Sequence, residues 1–264
     1  MHQHEQLLTY CKSLRLPTLA EVLPDTLARA GREAWSLETA LLHLLEQEVE
    51  GRRRRRIERF LRESQLPPGK TLAHFDQRRL PLRIRQRLPQ LEQGDFVDRC
   101  ENLLFFGLPG TGKTHCAVAL GHALVQQGRS VLFIPTFKLV GRLLAARREY
   151  ELERELRRLD KFEVIILDDI GYVQQSREEM EVLFTFLAER YERRSLMITS
   201  NLVFSEWNKI FKDPLTTAAA IDRIVHHSII LEFGKEIPSL RMEEAAQRNQ
   251  QSLDELTPAP APVG

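Results

Sequence analysis

Apolar residues follow helical spacing in the first part of the chain. Five of them recur within residues 37–49 without an intervening proline, which predicts a helix over residues 37–61. They are Leu37, Leu41, Leu44, Leu45 and Val49. The Leu-Pro-Pro-Gly sequence at 66–69 ends this helix. The Arg-rich segment from 71 to 97, with breaks at Pro81 and Pro89, indicates a short helical linker.

Beyond residue 98, short apolar runs alternate with segments of helical periodicity. The runs at 102–106, 130–134, 163–168, 196–200 and 228–233 predict strands, whereas 113–127, 137–159 and 177–191 predict helices. Gly128 follows the first of these helices, where a left-handed cap is favoured. Such alternation is typical of a parallel sheet covered by helices on both faces. The predicted fold class is therefore α/β, with a parallel five-stranded sheet preceded by a small all-helical N-terminal domain.

The length of 264 residues is enough for one large domain with a small companion. We predict a helical domain over 1–68, a linker over 69–97, the α/β domain over 98–245 and a disordered tail over 246–264. Hydrophobic residues make up 42% and charged residues 28%, which excludes a wholly disordered chain. Because no apolar run is long enough to cross a bilayer and the first residues lack a signal pattern, we expect a cytoplasmic protein without membrane contact.

The cysteine and histidine pattern does not favour a zinc site or a disulfide framework. Cys11, Cys100 and Cys116 form no C-x-x-C pair and have no matching histidine spacing. His226 and His227 are adjacent, so on a helix they would point about 100° apart, and no carboxylate or cysteine companion is apparent. We therefore expect no metal at these histidines.

The segment between the first predicted strand and the following helix matches the Walker A pattern G-x-x-x-x-G-K-[ST] in full. It consists of Gly107, Leu108, Pro109, Gly110, Thr111, Gly112, Lys113 and Thr114. Glycines let backbone N–H groups surround phosphates, and the positive end of the helix adds to the attraction. In this pattern Lys113 reaches the β- and γ-phosphates, and the Thr114 hydroxyl is a ligand of Mg²⁺. The sequence therefore predicts a site for ATP and Mg²⁺.

Two carboxylates follow the buried run at 164–167, where ligands of parallel sheets bind. Asp168 is expected to hold Mg²⁺, directly or through water, and Asp169 to polarise the attacking water. A second metal-side carboxylate without a role in hydrolysis is the alternative for Asp169. Asn201 follows the next predicted strand at the same edge and is expected to orient water against the γ-phosphate, although an asparagine after a strand is usually a turn residue.

With these residues in place, the sequence resembles the IstB-like transposition helper ATPases of insertion sequences, which are related to the DnaC helicase loaders and, more distantly, to the DnaA initiators. The resemblance runs from about residue 7 to residue 245. Its marks include GLPGTGKTH, LDDIGY, RYER, TSN and AIDRIVHH. The first of these marks extends the nucleotide-binding segment to His115. Many of them lie outside the general P-loop pattern, so the resemblance is specific.

The resemblance implies an AAA+ ATPase that assembles head to tail on duplex DNA in its ATP form and helps a cognate transposase to choose and use target sites. It also implies that Arg223 is an arginine finger that acts in the neighbouring protomer. Arg241 resembles the second sensor arginine that contacts the nucleotide.

Two groups of basic residues are candidates for DNA contact, and the N-terminal domain is expected to bind DNA or the protein partner. On the helix over 51–63 the first group lies within an arc of about 120°. It consists of Arg52, Arg55, Arg56, Arg59 and Arg62. The second includes Lys138 and Arg142. A solvated charge run is the alternative for the first group, and surface pairing with glutamates is the alternative for the second. Neither carries a base-reading signature, so we expect binding without strong sequence preference.

Three other functions remain open at this stage. A helicase loader would use the same ATPase machinery with a different protein partner. A small-molecule P-loop kinase would need an acceptor pocket and a mobile basic lid, whereas this chain carries Asn201 and Asp222-Arg223 in AAA+ order. A DNA-binding protein that uses ATP only structurally would show no turnover, and the aspartate at 169, where many AAA+ proteins have glutamate, is compatible with that.

Overall fold

The computed structural model describes residues 2–171, 176–202 and 224–234. The chain divides into two compact units, Met1–Arg62 and Glu63–Gly264. Among the described residues, no helix combines the length and the apolar character that a membrane span requires.

The first unit contains three helices, α1 (His2–Ser13), α2 (Pro17–Arg32) and α3 (Leu37–Glu63), the last of which ends just beyond the unit boundary. Their core is small and consists of Cys11, Leu19, Leu23 and Leu44. Gly51 of α3 lies beside Thr18 of α2, and an added Cβ at Gly51 would lie 2.2 Å from Thr18 Oγ1. A glycine is therefore required at this point of α3 because any side chain would push the two helices apart.

A buried carboxylate on α3 fixes the beginning of α2. Glu48 is 3% exposed, and its carboxylate accepts the Leu19 N–H at 2.9 Å. Arg52 donates to it at 2.9 Å and Arg55 at 3.2 Å. Burial alone would raise the pKa of Glu48, but the hydrogen bonds from Leu19 and Arg52 and the charge of Arg55 outweigh it, and the pKa is lowered. Glu48 thus supplies the N-terminal cap that α2 lacks in its own sequence, since Leu16 provides no side-chain cap.

The segment 69–97, predicted as a linker, is instead built into the second unit. It contains two short 3-10 helices, Leu72–His74 and Gln77–Arg79, followed by α4 (Leu82–Gln93) and α5 (Asp95–Asp98). Ile84, Leu88 and Leu91 are at most 3% exposed. Their spacing places them on one face of α4, which contacts α6 (Lys113–Gln126). This apolar face was not recognised in the sequence because arginines lie between and beside its apolar residues.

In the described part of the second unit, the sheet contains five parallel strands, as predicted. They are β1 (Asn102–Gly107), β2 (Val131–Pro135), β3 (Val164–Asp168), β4 (Ser195–Ser200) and β5 (Ser228–Phe233). Their order across the sheet is β2-β3-β4-β1-β5. The register pairs Leu167 of β3 with Ile198 of β4, and Phe106 of β1 with Ser200. The carboxyl ends of β1, β3 and β4 therefore meet at one edge.

Helices cover both faces of this sheet. On one face, α7 (Thr136–Arg148), α8 (Leu152–Leu159) and α9 (Arg177–Arg190) pack on alternate strand residues such as Leu104 and Ile198. On the other face, α6 contacts β1, β2, β3 and β4. An added Cβ on Gly121 of α6 would lie 2.8 Å from Ile166, so this helix approaches β3 very closely. The central strands are buried on both sides, which explains why their sequences are nearly continuous apolar runs.

Candidate nucleotide-binding site

The loop between β1 and α6 owes its shape to glycines in the left-handed region. Gly107, Gly110 and Gly112 have φ values of 152°, 81° and 96°. At Gly107 an added Cβ would lie 2.4 Å from the Phe233 carbonyl oxygen of β5. The loop therefore needs glycine both for its backbone angles and for its contact with the neighbouring strand.

Lys113 begins α6 and is 6% exposed. Its Nζ donates hydrogen bonds of 2.7 Å to the carbonyl oxygens of Gly107 and Leu108. The ammonium group therefore lies over the loop, beside the N-terminus of the helix. Both features attract anions, since the first backbone N–H groups of a helix lack intrahelical partners and the helix dipole is positive there. The arrangement fits a phosphate group.

Thr114 and Asp168 are in direct contact, although they are 54 residues apart in sequence. The Thr114 hydroxyl donates to Asp168 Oδ1 at 2.8 Å. Hydroxyl and carboxylate oxygens are the hard ligands that Mg²⁺ uses beside phosphate oxygens. These two side chains therefore fit the magnesium ion that accompanies ATP.

Asp169 and Asn201 also form a pair at this edge of the sheet. Asp169 has φ +62°, in the left-handed region that non-glycine residues seldom adopt. In this conformation its Oδ1 accepts a hydrogen bond of 3.0 Å from the Asn201 side-chain amide. Both residues line a cleft of about 230 Å³ together with Lys113 and Asp168. The structure thus brings together the four side chains that the sequence singled out separately.

Thr199, which was not identified from the sequence, connects the two aspartates. Its hydroxyl donates to Asp168 Oδ1 at 2.7 Å and accepts the Asp169 N–H at 2.8 Å. The signal in the sequence is a polar residue inside a strand that is buried throughout, two positions before Asn201. A buried hydroxyl needs partners, and in this register the end of β3 supplies them.

Residues upstream of the Walker A segment form one side of the cleft, which the sequence also did not reveal. Lys70 lines it, and the Phe75 ring packs on the His115 imidazole with centroids 4.6 Å apart. Burial lowers the pKa of His115, against a raising contribution from a hydrogen bond with the Thr71 backbone. The imidazole is therefore neutral around pH 7 and acts as a packing surface beside Thr114.

The two candidate arginines of the AAA+ resemblance, Arg223 and Arg241, lie outside the described residues. Their assignments as finger and second sensor stay predictions.

The predicted DNA-contacting arginines of α3 fall into two groups. Arg52 and Arg55 bind Glu48, and Arg55 also donates to Thr18 at 2.6 Å. Arg56 and Arg59 are exposed and each lies over the Phe60 ring, at 5.2 and 5.1 Å from its centroid. Arg62 is exposed as well. Arg52 and Arg55 therefore have a structural function, which their angular positions on the helix did not reveal.

The second basic group is largely paired with acidic side chains. Arg142 of α7 forms an ion pair with Glu155 of α8. Arg154, Arg157 and Arg158 likewise have carboxylate partners. Lys138 is exposed. These pairs favour the surface-pairing alternative for the arginines and leave Lys138 as the candidate for an anion contact.

The expectation that His226 and His227 have no carboxylate companion was wrong. Oε1 of Glu192, in the turn before β4, lies 3.1 Å from His227 Nε2. One ligand-type atom from each of Glu192, His226 and His227 lies within 4.8 Å of the other two. Tyr191 OH lies 3.2 Å from His226 Nδ1. This cluster was not identified from the sequence because Tyr191 and Glu192 lie more than thirty positions before the two histidines. It connects the turn before β4 with the turn before β5.

Comparison with known proteins identifies the relatives of this chain. The sequence profile of the family described as IstB-like ATP binding protein matches residues 9–248. An insertion sequence ATP-binding protein of Sinorhizobium fredii is 44% identical over 238 residues, which are 90% of this chain and 80% of that protein. The insertion sequence IS21 ATP-binding protein of Pseudomonas aeruginosa is 39% identical over 244 residues, which are 92% of this chain and 90% of that protein.

Solved structures show where the fold recurs. DnaI superposes with a TM-score of 0.54 at 20% identity, and the alignment covers 64% of this chain and 95% of DnaI. AMPPCP-bound DnaA from Aquifex aeolicus gives a TM-score of 0.53 at 16% identity, covering 71% of this chain and 57% of DnaA. At these identities the likeness concerns the fold alone, which is that of an AAA+ domain.

Proposed function

The chain belongs to the IstB-like ATP binding proteins, and from this membership we propose that it hydrolyses ATP with Mg²⁺ and, in its ATP form, assembles on duplex DNA to assist the transposase of its insertion sequence. The observation that carries the proposal is the hydrogen-bonded chain Thr114, Asp168, Thr199, Asp169 and Asn201 beside the Lys113 ammonium group. A protein that used the cleft only to bind a phosphate would need the loop and Lys113. It would not need a second carboxylate held in a left-handed turn and bonded to an amide.

Each side chain of the cleft has a role in this proposal. Lys113 and the N-terminus of α6 bind the β- and γ-phosphates. Thr114 and Asp168 would hold Mg²⁺, which would supply positive charge against the charge that develops on the transferred phosphoryl group. Asp169 orients the attacking water and accepts its proton, while Asn201 fixes the direction of the Asp169 carboxylate. A water-orienting carboxylate needs this restraint because catalysis depends on its geometry before its pKa.

The assembly on DNA rests on the exposed arginines of α3. Phosphate contacts position a protein without reading sequence, and they make affinity depend steeply on salt. Arg56 and Arg59 are the clearest test residues because they are exposed and do not contribute to the Glu48 cluster. Replacing Arg52 or Arg55 instead would disturb the packing of α2 on α3 as well as any DNA contact.

The test compares two double variants of the full chain. Arg56→Gln with Arg59→Gln is expected to weaken duplex binding for all sequences and to reduce the slope of log affinity against log salt by about 1.8, at 0.9 per phosphate contact. Arg32→Gln with Arg177→Gln removes the same charge from exposed positions elsewhere and controls for net charge. Fluorescence anisotropy with labelled duplexes measures both slopes. Equal slopes for the two double variants would show that α3 does not contact the phosphates.

ATP turnover of the unmodified protein tests the enzymatic part of the proposal. We expect slow hydrolysis that rises when duplex DNA and a cognate transposase are added, because head-to-tail contacts on DNA bring a finger arginine to each site. Stimulation by a replicative helicase in place of the transposase would favour the helicase-loader function. Absence of turnover under all of these conditions would reduce the function to ATP binding.

A further inference from the structure

Thr199 of β4 forms hydrogen bonds with three consecutive residues at the end of β3. Its hydroxyl donates to Asp168 Oδ1 at 2.7 Å and accepts the Asp169 N–H at 2.8 Å. Its carbonyl oxygen accepts the Ile170 N–H at 3.0 Å. Because the side chain is 2% exposed, and a hydroxyl has a single proton to donate, the direction of both hydroxyl bonds is fixed.

These bonds hold a backbone conformation that Asp169 does not adopt readily. A left-handed φ costs a non-glycine residue about 1 kcal/mol or more, and it persists only where the surroundings enforce it. The Asp169 N–H bond to Thr199 and the Ile170 N–H bond to the Thr199 carbonyl oxygen enforce it from both sides. From this turn the Asp169 carboxylate reaches the Asn201 amide.

The two aspartates depend on Thr199 in different ways. Asp168 Oδ1 accepts hydrogen bonds from the hydroxyls of both Thr199 and Thr114, so it keeps one hydroxyl donor when the other is removed. At Asp169 the Thr199 hydroxyl accepts the backbone N–H. Loss of the Thr199 hydroxyl therefore removes a side-chain donor from Asp168 and a backbone acceptor from Asp169.

We propose that Thr199 is a positioning residue for ATP hydrolysis: its hydroxyl keeps the metal-holding Asp168 and the water-orienting Asp169 in fixed relation to each other. This inference rests on the proposed ATPase function. Thr199 acts through the two aspartates and is assigned no contact with the nucleotide or the attacking water.

Three variants of the full chain test the proposal. Thr199→Val keeps the shape of the side chain and removes its hydroxyl, Thr199→Ser keeps the hydroxyl, and Ser195→Ala removes another buried hydroxyl from the opposite end of β4. We expect Thr199→Val to lower kcat by about 10²-fold, as misplaced catalytic groups do. Its affinity for ATP at saturating Mg²⁺ should be unchanged. Thr199→Ser and Ser195→Ala should turn over ATP close to the wild-type rate.

A second measurement keeps the test independent of turnover. The Mg²⁺ concentration that gives half of the maximal nucleotide affinity should rise in Thr199→Val and stay at the wild-type value in Ser195→Ala, because Asp168 loses one of its two hydroxyl donors only in the former. If Thr199→Val does not fold by circular dichroism, Thr199→Cys replaces it, since a thiol is a weak donor of similar size.

Two results would overturn the proposal. One is a folded Thr199→Val protein whose turnover and Mg²⁺ midpoint both equal those of the wild type. The other is Thr199→Ser as inactive as Thr199→Val, which would make the loss a matter of packing. A wild-type protein without turnover refutes the proposed ATPase function instead, and the Mg²⁺ midpoints then decide whether Thr199 positions Asp168.

Discussion

Removing the buried carboxylate of Glu48 is expected to destabilise the first unit through the beginning of α2. Glu48→Ala leaves the Leu19 N–H without the acceptor that it has at 2.9 Å, and an unsatisfied buried N–H costs about 1–3 kcal/mol. The pairs with Arg52 and Arg55 add little, because those side chains are 55% and 44% exposed and such pairs contribute about 0.2–1 kcal/mol each. The expected loss in the free energy of unfolding is therefore about 1.4–5 kcal/mol.

Two companion variants separate the cap from the charge. Glu48→Gln keeps a side-chain oxygen for the Leu19 N–H and should lose less than Glu48→Ala. Arg52→Gln removes one ion pair and the Arg52 hydrogen bond to the exposed Arg15 carbonyl oxygen but leaves the cap, so it should lose less than Glu48→Ala. The pKa of Glu48 is below its ordinary value of 4.5 in the folded protein. The charge-dependent part of the stability is thus complete above that value and is lost as the pH falls through the folded pKa.

A urea titration monitored through the fluorescence of Trp35 measures these losses in the free energy of unfolding. Trp35 lies in the first unit, between α2 and α3, where its indole N–H donates to Glu33. The chain contains two tryptophans, so Trp207→Phe removes the other signal. A urea midpoint that is the same in Glu48→Ala and in the Trp207→Phe protein without this change would refute the assignment of Glu48 as the cap of α2. Equal losses in Glu48→Ala and Arg52→Gln would show that the contacts of Arg52, and not the Leu19 bond, stabilise the unit.

The remaining predictions concern the nucleotide site. Lys113→Ala should abolish ATP binding in a folded protein, because it removes the flexible cation that the loop places beside the phosphates; titration with a fluorescent nucleotide measures this, and unchanged affinity would contradict the site. Arg223→Ala and Asp169→Asn should each bind ATP but hydrolyse it poorly, since finger arginines contribute about 10³ to 10⁵ in rate. Mixing the two inactive proteins on duplex DNA should restore part of the turnover, because some interfaces combine an intact site with an intact finger. A flat baseline at every mixing ratio, with co-assembly confirmed by light scattering, would place Arg223 in its own subunit or outside catalysis.

The local features of the fold could be predicted from the sequence because they depend on neighbouring residues. The periods of apolar residues predicted the five strands and the major helices of the second unit, within a residue or two at most ends. The Walker A segment was complete in one stretch, so the loop and Lys113 were identified without tertiary information. Asp168, Asp169 and Asn201 were identified because each lies at or just after the end of a buried strand, and parallel strands bring such positions to one edge.

Relations between distant residues were decided by the tertiary structure alone. In the sequence, Glu48 does not differ from the other glutamates of a charged helix. The packing of α2 on α3 buries its carboxylate, which then caps α2 by accepting the Leu19 N–H and pairs with Arg52 and Arg55. Thr199 is a strand residue like its neighbours until the register with β3 places its hydroxyl between the two aspartates. A sequence specifies which groups can donate and accept hydrogen bonds, but only packing excludes water from them and so determines which partners they must have.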